Sequence, residues 1–405
     1  MNILVFNCGS SSLNYKVFQF ENANEYSILI HGKAHRVGVK GTEASFIEHH
    51  LNGKTESRTL PISNHQEAAG LVIQYLNNHH IHLDAVGHRF VHGGIHFNKS
   101  ALLTTETYKN LQSCLPLASI HNPNSMSVID ECLSVFQSLP QYITFDTAFH
   151  ASLPDWAYSY ALPGELAQKY NLRKFGFHGL SYQYVTQEAS RFLGKPLESL
   201  KIIACHLGTG GSSVAAIKNG KSVDTSMGFS PLAGLIMSTR SGDLDPMIPL
   251  HLITEHGFTS AELNDLFNKK SGLLGISGFS SDIRDILHRL EETQDHQARL
   301  AFQMYTYRLK QYIGSYIAVL GGLDVLIFTD DIGIQSWQVR EETCREMTHL
   351  GINLDAEVNR GARFDEICIL SKPEADVCVL SMPTNEELII GLEGFKLLQS
   401  DSPFS

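Results

Sequence analysis

Apolar runs joined by turns of glycine and serine mark two distant parts of the chain. Ile3 to Phe20 reads ILVFNCGSSSLNYKVFQF, and Ile202 to Lys221 reads IIACHLGTGGSSVAAIKNGK. In both, an apolar strand, a polar residue and a turn of small residues precede a second strand. This pattern predicts a β-hairpin whose turn lets a ligand approach the backbone. Two unrelated hairpins could share it, but the repetition favours a duplicated domain with facing loops and a cleft between the copies.

Helical patterns alternate with strand patterns along the rest of the chain. The segment NHQEAAGLVIQYL predicts a helix with Asn64 as its N-cap and Glu67 completing a capping box. Apolar residues recur at helical spacing from Ala298 to Gly322, which predicts a long helix that ends at glycines. Strands are predicted at VGHRFVH, QYITFDTAF and VCVLSMP. The alternation indicates an α/β protein with mixed sheets.

The composition is that of a globular protein with a full core. Its 405 residues are 43% hydrophobic and 18% charged, which is enough for two or more domains. The formal net charge of -11 argues against a surface for nucleic acid or anionic membranes, because such surfaces need clustered Lys and Arg. Any anionic substrate must therefore be held by local cations.

The sequence predicts neither export nor a membrane span. The N-terminal MNILVFNCGSSS lacks a basic segment, and its apolar run is too short for a signal peptide. The longest apolar region, Ile313 to Phe328, is interrupted by Gly321 and Asp324 and falls short of the roughly 18 residues that a span needs. The seven cysteines contain no CxxC pair, which favours reduced thiols. We expect a cytoplasmic protein.

Four ionisable side chains interrupt apolar segments close to predicted turns. They are Arg89 in VGHRFVHGG, Asp146 after QYITF, His178 in KFGFHGLS and Arg240 in IMSTRSGDLDP. Each alone could form a structural ion pair. Together with the glycine and serine turns they suit phosphoryl transfer, which needs charge neutralisation, in-line positioning and usually magnesium. The chain has no P-loop motif, so the residues alone predict only a phosphate-handling α/β enzyme.

A series of motifs, in order over nearly the whole chain, resembles the acetate kinases. The motifs are NCGSSSLNYKVF, GHRFVHGG, IHNP, FDTAFH, FGFHGLS, CHLGTGGSS, VDTSMGFSPLAGLIMSTRSGDLDP, NKKSGLLGIS, SSDIRDI and PTNEEL. The resemblance implies the duplicated two-domain fold of acetate and sugar kinases, heat-shock ATPases and actin, with a central cleft. It implies a cytoplasmic homodimer. The implied N-terminal domain comprises 1–148 plus about 385–405, and the C-terminal domain comprises 149–384.

The resemblance also implies a magnesium-dependent, direct in-line phosphoryl transfer that acts on acetate and acetyl phosphate. Arg89 and Arg240 would neutralise the phosphoryl and carboxylate charges. His178 would hydrogen-bond the phosphoryl group in the transition state, and Asp146 would help to place the substrate and the magnesium shell.

The other implied site residues fall into three groups. Hard oxygen ligands for Mg²⁺ or Mn²⁺ would come from Asn7 and Glu386. The pocket for the acetyl group would be formed, beside Arg89, by Val91, Ile120, Phe177 and Pro231, with His121 as a supporting polar residue. The phosphate and nucleotide side would be formed by Asn7, Ser10, Ser12, His206, Gly208, Gly210, Asp282, Arg284 and Asp331. One methylene changes binding only modestly, so the choice between acetate and propionate stays open.

One loop departs from the family pattern. After the predicted strand LDVLIF, the chain reads Asp330-Asp331-Ile-Gly where ATP-using members typically carry Gly-Gly-Ile-Gly against the adenosine. We therefore expect the two aspartates to fill the space of adenine and to repel nucleotide phosphates. Thr209, Gly211 and Asn14 stand where Asn, Ala and Lys are usual. These departures resemble the diphosphate-linked acetate kinases, in which acetyl phosphate and phosphate give acetate and diphosphate.

Three alternatives to the diphosphate hypothesis remain at this stage. The aspartates could cap a turn in an ordinary ATP-dependent acetate or propionate kinase, or they could bind a second metal ion. A non-catalytic binding module of the actin and heat-shock type is the hypothesis from another functional class. The apparently complete set of catalytic residues argues against it.

Overall fold

The computed structural model describes residues 1–39 and 43–400, so residues 401–405 of the predicted N-terminal domain lie outside the described residues. The strands are β1 Asn2–Cys8, β2 Ser12–Phe20, β3 Tyr26–His35, β4 Phe46–Leu51, β5 Lys54–Thr59, β6 Ala85–Phe90, β7 Ala101–Leu102, β8 Gln141–Phe145, β9 Lys201–Leu207, β10 Ser212–Lys218, β11 Lys221–Thr225, β12 Val325–Thr329, β13 Cys368–Ile369 and β14 Cys378–Ser381.

Helices connect and cover these strands. The α-helices are α1 His65–Asn78, α2 Thr105–Ser113, α3 Asn122–Val135, α4 Asp155–Tyr158, α5 Gly164–Tyr170, α6 Gly179–Leu193, α7 Met247–His256, α8 Ser260–Lys269, α9 Gly272–Ser277, α10 Ile283–Thr293, α11 His296–Leu320, α12 Asp330–Gln335, α13 Trp337–Cys344, α14 Ala356–Gly361 and α15 Glu386–Ser400. Short 3₁₀ turns occupy Leu115–Ala118, Ala148–Ser152, Leu197–Ser199 and Thr348–Leu350.

The chain forms two compact units, each with its own sheet. The first unit comprises Met1–Ala151 and the segment that begins at Asn385, and the second comprises Ser152–Thr384. The sheet of the first unit has the strand order β5-β4-β3-β2-β1-β6-β8-β7, and that of the second has the order β11-β10-β9-β12-β14-β13. Both sheets mix parallel and antiparallel pairs, which confirms the predicted duplicated α/β fold class.

The two predicted hairpins are the corresponding parts of the two sheets. β1 pairs antiparallel with β2, and β9 pairs antiparallel with β10. On its other side, β1 has the parallel neighbour β6, and β9 has the parallel neighbour β12. The turn of each hairpin therefore lies at the edge where the parallel strands end. In α/β sheets, ligands bind at this edge.

Each unit buries its own apolar core, because the central strands are apolar and helices cover them. In the first unit, α1 and α3 contribute Val72 and Val128 to the cluster around β1. In the second unit, α11 contributes Tyr305, Leu309 and Ile313 to the cluster around β9 and β12. Burial of such side chains stabilises each unit by about 25 cal/mol per Å² of apolar surface.

Two predicted helices occur with small differences at their ends. Asn64 caps α1 as predicted, because its side chain accepts a hydrogen bond from the Glu67 amide at 2.8 Å. The predicted capping box is wrong, since the Glu67 carboxylate accepts from the amide of Ser63 at 2.7 Å, one residue before the cap. The long helix α11 ends where the sequence predicts, and Gly321 follows it with φ of 68°.

Two further expectations from the sequence concern the state of the cysteines and membrane-spanning helices. All seven cysteines are free, and Cys8 and Cys205 are buried in their strands. Over residues 1–39 and 43–400, no helix combines the length and the apolar composition that crossing a membrane requires.

Candidate active site

Four of the predicted site residues meet at one edge of the first sheet. Asn7 lies near the end of β1, Arg89 lies near the end of β6, and Asp146 directly follows β8. β6 runs parallel to both β1 and β8, so the three strands end at the same edge. Glu386, the first residue of α15, reaches this edge and accepts a hydrogen bond from Asn7 Nδ2 at 3.2 Å.

The Arg89 guanidinium is the centre of this group. Its Nε and Nη2 donate to Asp146 Oδ1 and Oδ2 at 2.8 and 2.6 Å, and its Nη1 donates to Asn7 Oδ1 at 2.9 Å. The Glu386 carboxylate lies 3.6 Å from Nη1. Burial opposes the positive charge, but Asp146 and Glu386 outweigh it, so the pKa of Arg89 is raised. The first unit therefore holds a permanent, rigidly oriented cation.

Two residues that the sequence analysis did not select complete the same network. Glu387 Oε1 accepts a hydrogen bond from Asn7 Nδ2 at 2.9 Å, and the other carboxylate oxygen lies 3.4 Å from Lys16 Nζ. Lys16 also donates to Asn385 Oδ1 at 3.1 Å. The available signal was a lysine inside the apolar strand LNYKVF, together with a second glutamate in PTNEEL.

The oxygen donors at this edge fit the predicted metal. Asp146, Glu386 and the Asn7 side-chain carbonyl offer hard oxygen atoms, which Mg²⁺ prefers. In the described part of the chain, no group of three or more His, Cys, Asp or Glu side chains forms a complete metal site. The role of these oxygen atoms in binding Mg²⁺ stays a prediction.

The residues predicted for the acetyl group occur in both units. Val91 follows β6 and is buried, whereas Ile120, just before His121 and α3, is 52% exposed. In the second unit, Phe177 is buried, and the Pro231 carbonyl accepts a hydrogen bond from Arg240 Nη1 at 3.3 Å. Their common role in binding an acetyl group stays a prediction.

The turn of the first hairpin carries the two predicted serines. The Gly9 amide donates to the Ser12 carbonyl at 2.9 Å, and the Asn124 side chain donates to the Ser10 carbonyl at 3.4 Å. A Cβ atom at Gly9 would lie 2.8 Å from Ser12 Oγ, so a larger residue here would require the Ser12 side chain to move. Its part in binding phosphate stays a prediction.

In the second unit, two histidine rings stack at the end of β9. The ring centroids of His178 and His206 are 4.1 Å apart. His178 Nδ1 lies 2.8 Å from Ser213 Oγ, and His206 Nδ1 lies 2.9 Å from Ser181 Oγ. Each ring is therefore held through Nδ1, which leaves its orientation fixed.

Arg240 lies beside the His178 ring and the glycine loop. A Cβ atom at Gly211 would be 3.1 Å from Arg240 Nη1 and 3.6 Å from His178 Nε2, so all three residues line one small space. Burial lowers the pKa of Arg240. Among residues 1–39 and 43–400, no carboxylate forms an ion pair with this guanidinium. A half-buried cation of this kind is a ready partner for an anion.

The glycine loop leads to a cavity of about 490 Å³ within the second unit. The loop closes through two backbone hydrogen bonds between Gly208 and Gly211, while Gly210 at its tip has open space around it. The cavity is lined by Thr209, Asp282, Ile283, Arg284, Leu287, His288, Glu291, Asp331, Ile332, Gln335, Ser336 and Gln338. Its volume lies in the range of sites for cofactor-sized ligands.

The expectation that Asp330 and Asp331 fill the space of adenine stays a prediction. Asp330 points away to His206, with its Oδ2 3.0 Å from Nε2. Asp331 lies in the cavity wall and accepts a hydrogen bond from Thr209 Oγ1 at 3.2 Å. The other predicted residues of this wall, Asp282 and Arg284, form a two-point ion pair at 3.0 and 2.5 Å. Asp331 therefore adds negative charge to the cavity wall, whereas Asp330 is not part of the cavity lining.

Comparisons with known proteins cover almost the whole chain. A model of the Acetokinase family matches residues 2–392. The acetate kinase of Thermoanaerobacterium thermosaccharolyticum is 44% identical over 407 residues, which cover 99% of this chain and 100% of that relative. The solved acetate kinase of Entamoeba histolytica is 46% identical, with a TM-score of 0.89 over 98% of this chain and 100% of that one. A solved propionate kinase of Francisella tularensis is 34% identical, with a TM-score of 0.87 over 97% and 98%.

Proposed function

The chain belongs to the acetokinase family, and we propose that it is an ATP-dependent kinase of acetate or a similarly short carboxylic acid. The products are the acyl phosphate and ADP, and the reaction also runs in reverse. The observation that carries the choice of donor is the cavity of about 490 Å³ beside the glycine loop, which leaves room for a nucleoside. This choice replaces the diphosphate hypothesis as the leading one.

In the proposed reaction, a carboxylate oxygen of the acid attacks the terminal phosphorus of ATP, and the bond from that phosphorus to the ADP oxygen breaks. Asn7, Glu386 and Asp146 would hold Mg²⁺ or Mn²⁺, which would neutralise charge at the phosphate oxygens. Arg240 compensates the charge of the transferred group from the second unit. Arg89 provides a fixed cation for the charged substrate in the first unit.

In this reaction the His178 ring would donate a hydrogen bond from one N–H to an oxygen of the transferred group. Its Nδ1 faces Ser213 Oγ, which also contacts the Tyr182 hydroxyl. A chain in which Tyr182 donates to Ser213 and Ser213 donates to Nδ1 leaves the proton of His178 on Nε2. That N–H lies on the Gly211 side of the ring, where it would donate to a phosphoryl oxygen.

Diphosphate is the second candidate phosphate donor, because carboxylates in the cavity wall would repel the phosphates of a nucleotide bound there. Asp331, Asp282 and Glu291 all line it, and Arg284 is already paired with Asp282. The purified protein should be given acetyl phosphate with either ADP or inorganic phosphate, and ATP and diphosphate should be measured. Formation of ATP supports the leading proposal. Formation of diphosphate with inert ADP overturns the choice of donor but not the kinase class.

A variant in the cavity wall tests the position of the nucleoside. Gln335 is exposed and lines the cavity, so Gln335→Trp should fill part of it. We expect KM for ADP to rise about tenfold, equal to 1.4 kcal/mol, with kcat little changed. The matched control is Gln297→Trp, at an exposed position of α11 outside the cavity. An unchanged KM for ADP in Gln335→Trp would contradict the proposed nucleoside site.

We also propose that the protein is a homodimer that associates through α7. No residue of this ten-residue helix is buried, and Met247, Ile248, Leu250 and Ile253 are between 42% and 61% exposed. Exposed apolar patches mark interaction surfaces, and a second copy offers the same patch in a two-fold interface. Leu250→Glu should give monomers by light scattering, whereas Leu133→Glu on α3 should stay dimeric. A monomeric wild type, or a dimeric Leu250→Glu, would refute this proposal.

A further inference from the structure

The Asp330 carboxylate reaches the phosphate side of the second unit because of strand register. β12 runs parallel to β9, and Thr329 lies opposite His206. Asp330 is the next residue, and its Oδ2 lies 3.0 Å from His206 Nε2. A carboxylate only accepts hydrogen bonds, so Nε2 carries the proton and donates to Asp330. While this pair is intact, that N–H is directed at a protein carboxylate and not at a phosphate oxygen.

The same carboxylate also covers the glycine loop. A Cβ atom at Gly208 would collide with the Asp330 side chain, so the carboxylate lies against the backbone of the loop. The His206 ring that it contacts stacks on His178 at 4.1 Å, and the last glycine of the loop, Gly211, borders Arg240. The carboxylate therefore lies beside an imidazole and the backbone of a glycine loop, which are groups that suit an anionic ligand.

The backbone conformation at Asp330 limits which residues fit at this position. Its φ is 64°, in the left-handed region that favours glycine and that asparagine and aspartate tolerate better than other residues. The turn after β12 directs the side chain back over the loop. Replacement by glycine or asparagine suits this backbone and should leave folding intact.

We propose that Asp330 is a specificity-determining residue whose carboxylate occupies an anion position between His206 and Gly208 and competes there with the phosphates of the donor. This inference rests on the proposed function, which binds the phosphate donor at the same loop. A donor must either displace Asp330 or bind beside it against a like charge. The Asp330 carboxylate therefore weakens the binding of phosphate chains. It favours phosphate donors that place no phosphate group against Gly208.

The test compares Asp330→Asn and Asp330→Gly with the wild type, using inorganic phosphate as the probe. We expect calorimetry to show phosphate binding at least about fivefold tighter in both variants, because a like charge at close range is removed. KM for ADP should fall in parallel, with kcat changed less than about twofold. The control Asp265→Asn changes the net charge equally on α8, where Asp265 pairs with Lys269 and Lys270, and should bind phosphate as the wild type does.

Three results would overturn the inference. They are unchanged or weaker phosphate binding in both Asp330 variants, equal tightening in Asp265→Asn, and a loss of kcat at unchanged KM, which would make Asp330 a positioning residue for His206. Melting temperatures within about two degrees of the wild type show that the variants fold. Tighter phosphate binding in a protein that transfers no phosphoryl group would refute the proposed function while supporting the inference.

Discussion

Replacing Arg89 by alanine is expected to abolish phosphoryl transfer and to lower the free energy of unfolding of the first unit by about 3–5 kcal/mol. Asp146 is 1% exposed and receives two hydrogen bonds from Arg89, so truncation leaves a buried carboxylate without its counter-charge. Asn7 Oδ1 and Glu386 lose the same cation. Urea unfolding and the rate of acetyl phosphate formation measure the two effects.

Two further variants separate charge from geometry at this position. Arg89→Lys keeps a cation but cannot bind both Asp146 oxygens in one plane, so it should regain part of the stability while activity stays at least about a hundredfold low. The double variant Arg89→Ala with Asp146→Ala removes both charges, and it should be more stable than Arg89→Ala alone yet equally inactive. Wild-type stability in Arg89→Ala would contradict the structural part of this prediction.

The sequence located this group because charged residues are rare at the ends of apolar strands. Arg89 and Asp146 interrupt such strands, and the parallel order of β1, β6 and β8 brings them together. Glu386 is different, because 379 residues separate it from Asn7 and no local pattern connects them. Its place followed from the family resemblance, whereas its neighbour Glu387 was missed although it contacts Asn7 more closely.

The direction of the Asp330 side chain could not be predicted from the sequence. Residue types at 330 and 331 indicated bulk and negative charge, but the direction of a side chain depends on φ and on strand register. Asp330 has a left-handed backbone and follows a strand that lies beside β9, so it turns to His206 and leaves the cavity open. Neither property can be read from residue types alone, since β9 and β12 are more than a hundred residues apart in sequence.

Replacing Arg340 is expected to affect both the stability of the second unit and the wall of the donor cavity. This side chain is 1% exposed, and burial lowers its pKa to about 10. Its guanidinium donates to the carbonyls of Gly333 and Ile334 at 2.8 Å, and to Asn359 through both the side chain and the carbonyl at 2.7 and 2.8 Å. It therefore ties the end of α12, part of the cavity wall, to α14.

Arg340→Ala should lower the free energy of unfolding by about 4 kcal/mol or more, because it leaves buried carbonyl groups without donors and opens a cavity. Arg340→Met fills most of the volume but supplies no donor, so the difference between the two variants isolates the cost of the empty space. In both, a loosened α12 should raise KM for ADP more than KM for acetyl phosphate, since Ile332 and Gln335 line the donor cavity. If Arg340→Met unfolds at the same urea concentration as the wild type, the hydrogen bonds of this guanidinium do not hold the cavity wall, and the nucleoside site must derive its rigidity from the packing of Ile332 and Val339 alone.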